Sequence, residues 1–211
     1  MENNYMERNP YYASPGRRIP YVTIFLIAVN VVIYLIMEVT GSTQDTDCLY
    51  NWGAMYLPAV LKQGEIYRVF AHMFLHAGPD HLINNMFMLG AMGYQVEEEY
   101  GRMKYLITYF VCGLGATVAS ALYETLMGEY AVGVGASGAI FGIFGVTLVM
   151  IFKNRRQTGQ VSAPRLMILF LVMVFGNMQE GVDWMAHFGG ALTGVLIGLV
   201  CYKPKSQSFI E

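Results

Sequence analysis

The chain has 211 residues, is 55% apolar, carries only 13% Asp, Glu, Lys and Arg, and has a formal net charge of −2. A soluble domain of this size is about one quarter charged, so the composition excludes an ordinary soluble globular domain and indicates a multi-pass membrane protein. No basic stripe alternates with aromatic residues, which argues against a nucleic-acid-binding module.

Residues 1–18 are polar, with Arg8, Arg17, Arg18 and a Pro15-Gly16 pair, and read as a short tail. Apolar character then runs from Ile19 to about Met37, long enough to cross a hydrocarbon core of ~30 Å. No small-residue cleavage site follows, so this first run reads as a retained span. Asn30 within it is expected to make a helix–helix hydrogen bond. Residues 40–80 do not fit one span. Asn51 to Arg68 mixes Trp52, Tyr56, Leu57, Ile66 and Tyr67 with Lys62 and Glu65. Such aromatic, partly amphipathic segments lie at the lipid–water boundary.

The second span is expected from His81 to about Val96, followed by Glu97, Glu98 and Glu99. The third runs from Tyr105 to about Leu122, and the fourth from Gly133 to about Phe152. A short fifth apolar run covers Leu166 to Phe175, and the sixth span covers Trp184 to Tyr202. The expected organisation is a tail (1–18), one six-span domain (19–203) and a second tail (204–211). Cys48, Cys112 and Cys201 form neither a disulfide framework nor a metal-binding spacing. No cofactor is expected.

Six spans put both termini on one side. Arg8, Arg17, Arg18, Arg102, Lys104, Lys153, Arg155, Arg156, Arg165, Lys203 and Lys205 then share that side, against Lys62 and Arg68 on the other. The positive-inside rule makes the termini cytoplasmic. Spans two, four and six therefore enter from the outer face. Each has a polar residue about one turn inside its outer end: His81 and Asn85, Ser137, and His187. Polar side chains inside a membrane are costly and face bundle interiors or wet cavities. Four at one level imply a polar pocket open to the outer face.

His187, Gly190, Gly194 and Gly198 share one helical face, and Gly138, Gly142 and Gly145 form a stripe on the fourth span. Small residues let membrane helices approach closely. Pairing the two stripes would bring Ser137 to His187, although the wheel allows this meeting without demanding it. A serine beside a neutral imidazole is an activated nucleophile. Its oxyanion would need donors; Asn85, His81 and the Ser137 backbone N–H are candidates. Asp183, one turn before His187, reads as a solvated helix cap rather than a triad acid. His72 and His76 have an i, i+4 spacing that also suits a metal, but they read as packing the boundary loop. Asn84 and Glu97 read as structural.

These residues together resemble the rhomboid intramembrane serine proteases. Gly135, Ala136, Ser137 and Gly138 resemble that family's Gly-x-Ser-Gly nucleophile motif, and Ala186 to Gly190 resembles its Ala-His-x-x-Gly motif. His72, His76, His81 and Asn85 match its histidine and asparagine signature, Tyr67-Arg68 its aromatic-Arg pair, and Glu97 its inner-end glutamate. Phe141 stands where several members carry a tyrosine that stacks on the catalytic histidine. The resemblance implies a six-helix bundle with an interfacial first loop. It implies cleavage of single-span membrane proteins in or near the bilayer, with small residues before the cut and helix-breaking residues after it. The fifth run and the Gly176 to Asp183 link are expected to gate substrate entry. Two other classes compete: a non-catalytic binder of membrane helices, and a histidine-based metal or proton transporter. The second lacks the intramembrane acids that cation paths use.

Overall fold

The computed structural model describes residues 19–154 and 182–204. Among them the chain is helical apart from loops and one isolated antiparallel bridge, Met55 with Gly133. The helices are α1 (Tyr21–Thr40), α2 (Thr46–Asn51), α3 (Leu57–Gln63), α4 (Arg68–Ala71), α5 (Pro79–Tyr100), α6 (Arg102–Met127), α7 (Ser137–Asn154) and α8 (Trp184–Cys201). A 3₁₀ turn, His72–Phe74, continues α4. Four helices, α1, α6, α7 and α8, are long and apolar enough to cross a membrane. Their outward faces are apolar, as at Phe25, Val39, Val118 and Leu196, which in a multi-pass membrane protein is the surface presented to lipid. With 22 residues α5 is also long enough, but it carries Asp80, His81, Asn84 and Asn85 toward one end and three glutamates at the other. The expected fifth run, the Arg155 to Arg165 loop, both tails and most of the expected gate lie outside the described residues.

The centre of the bundle is α7. Of its most apolar stretch 67% is buried, against 28% to 39% in the other three helices. The reason is its lack of bulk. A β-carbon built on Gly142 would fall 2.2 Å from the Cys112 β-carbon on α6 and 3.1 Å from the Gly190 carbonyl on α8. One on Gly138 would fall 2.5 Å from the Ala116 β-carbon, and one on Gly145 2.3 Å from the Ala191 carbonyl. The glycines of α7 therefore admit two neighbours, not α8 alone as the stripe suggested. From the other side, β-carbons on Gly190 and Gly194 would lie 2.0 Å and 1.8 Å from the carbonyls of Gly138 and Gly142. The two glycine stripes do meet, backbone against backbone.

Two charged side chains tie helix ends together. The N-terminus of α1 has no side-chain cap of its own. Buried Glu97, at the end of α5, takes that role: its carboxylate accepts from Val22 N (3.0 Å), Thr23 N (2.8 Å) and Thr23 Oγ1 (2.8 Å). Orphan N–H groups and the helix dipole both favour a carboxylate there. Lys153, at the end of α7, donates to the carbonyls of Gly198 (3.2 Å), Leu199 (2.7 Å) and Tyr202 (2.8 Å), which close α8. Asn30 is buried and donates to Leu26 O of its own helix at 2.7 Å. Between α5 and α6 the only residue is Gly101, whose φ of +78° lets the chain reverse without a loop.

Candidate active site

Ser137 is the first residue of α7 rather than one turn inside a span. The residues before it are extended, for identifiable reasons. Gly133 pairs with Met55 through two hydrogen bonds, Met55 N to Gly133 O (2.8 Å) and Gly133 N to Met55 O (2.9 Å). Gly135 N donates to His72 O (2.9 Å), and Gly135 has a φ of +125° that residues with side chains avoid. The helix begins with Ile140 N donating to Ala136 O. The serine therefore sits where helix N–H groups are unpaired and the dipole is positive. The Gly135 glycine has a second cause: a β-carbon there would fall 2.8 Å from both Cε1 and Nε2 of His81 and 3.6 Å from Ser137 Oγ. His81 thus stands over Gly135, close to the serine.

The side chains of Ser137 and His187 are both buried, and Ser137 Oγ lies 3.0 Å from His187 Nε2. The imidazole stacks on Phe141, with centroids 4.1 Å apart and planes at 10°. Trp184, three residues before it, meets it edge-on at 5.8 Å and 82°. Trp184 was not singled out from sequence. Its i, i+3 spacing to His187 on a helix start was the available signal. With Phe141 on one face and Trp184 at the edge, the ring has few alternatives to the orientation that points Nε2 at the serine.

The remaining predicted residues fall into two groups. His81 and Asn85 lie one turn apart on α5, on one face. Ala77 N donates to His81 Nδ1 at 3.4 Å, which leaves the ring proton on Nε2, the nitrogen over Gly135. Asn85 is 1% exposed, and its Nδ2 has no partner among the described residues. His76 is fully buried and meets His81 edge-on at 5.1 Å. Burial, with a smaller repulsion from His81, pushes the His76 pKa down to about 3. His72 reaches α6 instead. Thr117 donates to Gly113 O (3.0 Å), and its Oγ1 lies 3.0 Å from His72 Nε2. The histidines do not converge, and among the described residues no three His, Cys, Asp or Glu side chains gather as a metal site.

The other group supports the site from a distance. Arg68 is 2% exposed. Its Nη1 donates to Tyr50 O (2.7 Å) and Ala54 O (2.9 Å), its Nε to Glu65, and its guanidinium lies 4.0 Å above the Tyr50 ring. It fastens the loop that presents Met55 to Gly133. Glu97 is occupied at the N-terminus of α1, far from the serine in the chain's architecture. Gly138, Gly142, Gly190 and Gly194 set the α7–α8 approach described above.

A family model described as Rhomboid domain matches residues 63–204. Over 198 residues the chain is 29% identical to "Putative rhomboid protease YdcA" of Bacillus subtilis (strain 168), covering 92% of this chain and 94% of that one. It is 32% identical to "Rhomboid-like protease 1" of Toxoplasma gondii over 86% of its length. It is 28% identical to "Rhomboid protease GluP" of Bacillus subtilis (strain 168) over 90% of its length, but spans only 36% of that relative. Against "RHOMBOID-like protein 5" of Arabidopsis thaliana it spans 49%. The match runs through the segments that carry Ser137, His187, His81 and Asn85, and the chain belongs to the rhomboid family.

Proposed function

We propose that the protein is an intramembrane serine endopeptidase that cuts single-span membrane proteins in or near their transmembrane segments. One observation carries the reading: in a buried site, Ser137 Oγ lies within hydrogen-bond distance, 3.0 Å, of His187 Nε2. Ser137 Oγ attacks the scissile carbonyl carbon while His187 Nε2 takes its proton. The carbonyl oxygen becomes an oxyanion, held by the Ser137 backbone N–H at the start of α7, the Asn85 amide and His81 Nε2–H. Collapse of this intermediate breaks the C–N bond, and His187 returns the proton to the leaving amine. Water, deprotonated by the same imidazole, then hydrolyses the acyl-serine. The pair works as a dyad, with Phe141 and Trp184 orienting the base in place of an acid.

The reading extends to topology. The four apolar helices, α5 and the fifth run make six spans, with α2 to α4 an interfacial loop. Positive charge flanking the inner ends puts both termini in the cytoplasm and opens the site outward. A peptide bond inside a substrate helix is shielded, so a substrate must unwind locally to reach Ser137. Helix-weakening residues after the cut favour this unwinding, and kinship with the rhomboid family implies small residues before it. The test is cleavage of a single-span substrate by purified protein in detergent. Wild type cuts and Ser137→Ala does not; equal cleavage by the two would overturn the assignment.

A further inference from the structure

No residue of α6 enters the chemistry proposed above, yet three threads from the site end on one face of it. Thr117, Ser120 and Glu124 are spaced i, i+3 and i+7 and share that face. Thr117 Oγ1 is hydrogen-bonded to His72 Nε2, and the His72 carbonyl holds Gly135 N at 2.9 Å. Glu124 accepts from Ala131 N at 3.1 Å, at the head of the segment that leads to Ser137. The Ser120 hydroxyl donates to Asp183 Oδ2. Asp183 in turn caps α8: its Oδ1 accepts from Ala186 N at 2.8 Å, and its carbonyl accepts from His187 N at 3.2 Å. Below these threads the helices are in steric contact. β-Carbons on Gly189 of α8 and Gly138 of α7 would fall 2.2 Å and 2.5 Å from those of Ala119 and Ala116 of α6.

We infer that Asp183 is a positioning residue: through Ser120 it fastens the outer end of α8 to α6, so that α6 fixes the distance between Ser137 and His187. A helix cap alone needs only the Oδ1 contact, and capping can be met by water or by any short polar side chain. The second oxygen is bonded to a different helix, on the face that also holds the approach to Ser137. The two arms of the dyad thus share one support. The cap leaves α8 free to tilt about its glycine contacts, whereas the Ser120 link stops its outer end, where His187 sits, from moving away from α7.

The inference rests on the proposed protease reading, and the experiment separates the two. The full chain is purified in detergent as wild type, Ser137→Ala, Ser120→Ala, Asp183→Ala, Asp183→Asn and the Ser120→Ala/Asp183→Ala double variant. Initial rates are measured on a single-span substrate, along with the rate of fluorophosphonate labelling and the thermal midpoint. Ser120→Ala keeps the cap and loses only the link, and is expected to lower kcat and the labelling rate about tenfold, because small misplacements of reacting groups cost that much or more. KM stays within about twofold, since substrate contacts are untouched. Asp183→Asn keeps an oxygen for Ala186 N and turns its amide N–H toward Ser120 Oγ, which then accepts instead of donating, so the link survives with its direction reversed and most of the rate is recovered. The double variant is no slower than the slower single one, as two halves of one link require. Wild-type kcat in Ser120→Ala, or losses that multiply in the double variant, would overturn the inference while wild type still cuts and Ser137→Ala does not. A wild type inert to substrate and probe would instead overturn the protease reading, and the inference with it.

Discussion

Substituting Gly190 with alanine tests how the helices hold the dyad. A β-carbon there would lie 2.0 Å from the Gly138 carbonyl oxygen and 2.9 Å from its carbon. Both partners are backbone within helices, so no side chain can swing aside. Restoring ordinary contact requires α7 and α8 to separate by about 1.4 Å at this level. Gly190 is three residues from His187 and Gly138 adjoins Ser137, so the separation acts almost directly on the 3.0 Å contact between Oγ and Nε2. Stretched by that amount the pair is past hydrogen-bond reach, and the expected loss in kcat is about 10²-fold. Overpacking also lowers stability by about 1–3 kcal/mol. The assay is cleavage of a single-span substrate well below the melting midpoint. Gly90→Ala serves as the control, because its β-carbon would meet Ile27 Cδ1 at an ordinary 3.7 Å and should leave turnover unchanged. Wild-type kcat in Gly190→Ala would refute the claim that backbone contact between the two glycine stripes sets how closely His187 can approach Ser137.

Other consequences can be checked in the same preparations. Gly142→Leu pushes against Cys112 of α6 and should cost activity without altering any reacting group; wild-type turnover would contradict this. Glu97→Gln weakens the charge on the N-terminus of α1 and should lower stability by about 1–2 kcal/mol, read as a lower thermal midpoint, with turnover at low temperature unchanged. The His76 pKa falls from its ordinary 6.5 to about 3 on burial. Below pH 6.5 the unfolded chain therefore binds a proton the folded chain refuses, and stability declines as pH falls, by at most about 1.4 kcal/mol per unit. Above pH 6.5 both states are neutral and this contribution is flat. Thermal midpoints across that range should show the slope in wild type and a shallower one in His76→Phe; identical slopes would exclude His76 as its source.

What sequence could and could not disclose follows from the kind of signal each residue leaves. The spacing of His187, Gly190, Gly194 and Gly198 is a periodic pattern, and it led to the face on which α8 meets α7. The Ser137 helix start was hidden because Gly133 to Ala136 are small and apolar and read as more helix. Long-range bonds, to Met55 and to His72, hold them extended. Hydropathy does not register such contacts. The role of α6 was also illegible. Its contributions are Cys112, Ala116, Thr117, Ala119 and Ser120, small residues facing partners from elsewhere in the chain, and Glu124 near its end; nothing in the sequence marks what each of them meets. Glu97 could be recognised as structural, but its partner could not, since Val22 and Thr23 offer it backbone N–H groups that every residue except proline has. Trp184 marked only the start of the sixth span in the sequence, and its T-shaped contact with the imidazole is a matter of ring orientation that sequence does not carry.

The central claim is that His187 activates Ser137 as a nucleophile, and the most direct measurement is covalent. The purified chain is treated with a fluorophosphonate and the adduct is mapped by peptide mass spectrometry. The account predicts one adduct, on Ser137, abolished in Ser137→Ala and slowed by orders of magnitude in His187→Ala. An adduct on another serine, or labelling of Ser137 that proceeds unchanged without His187, would contradict it.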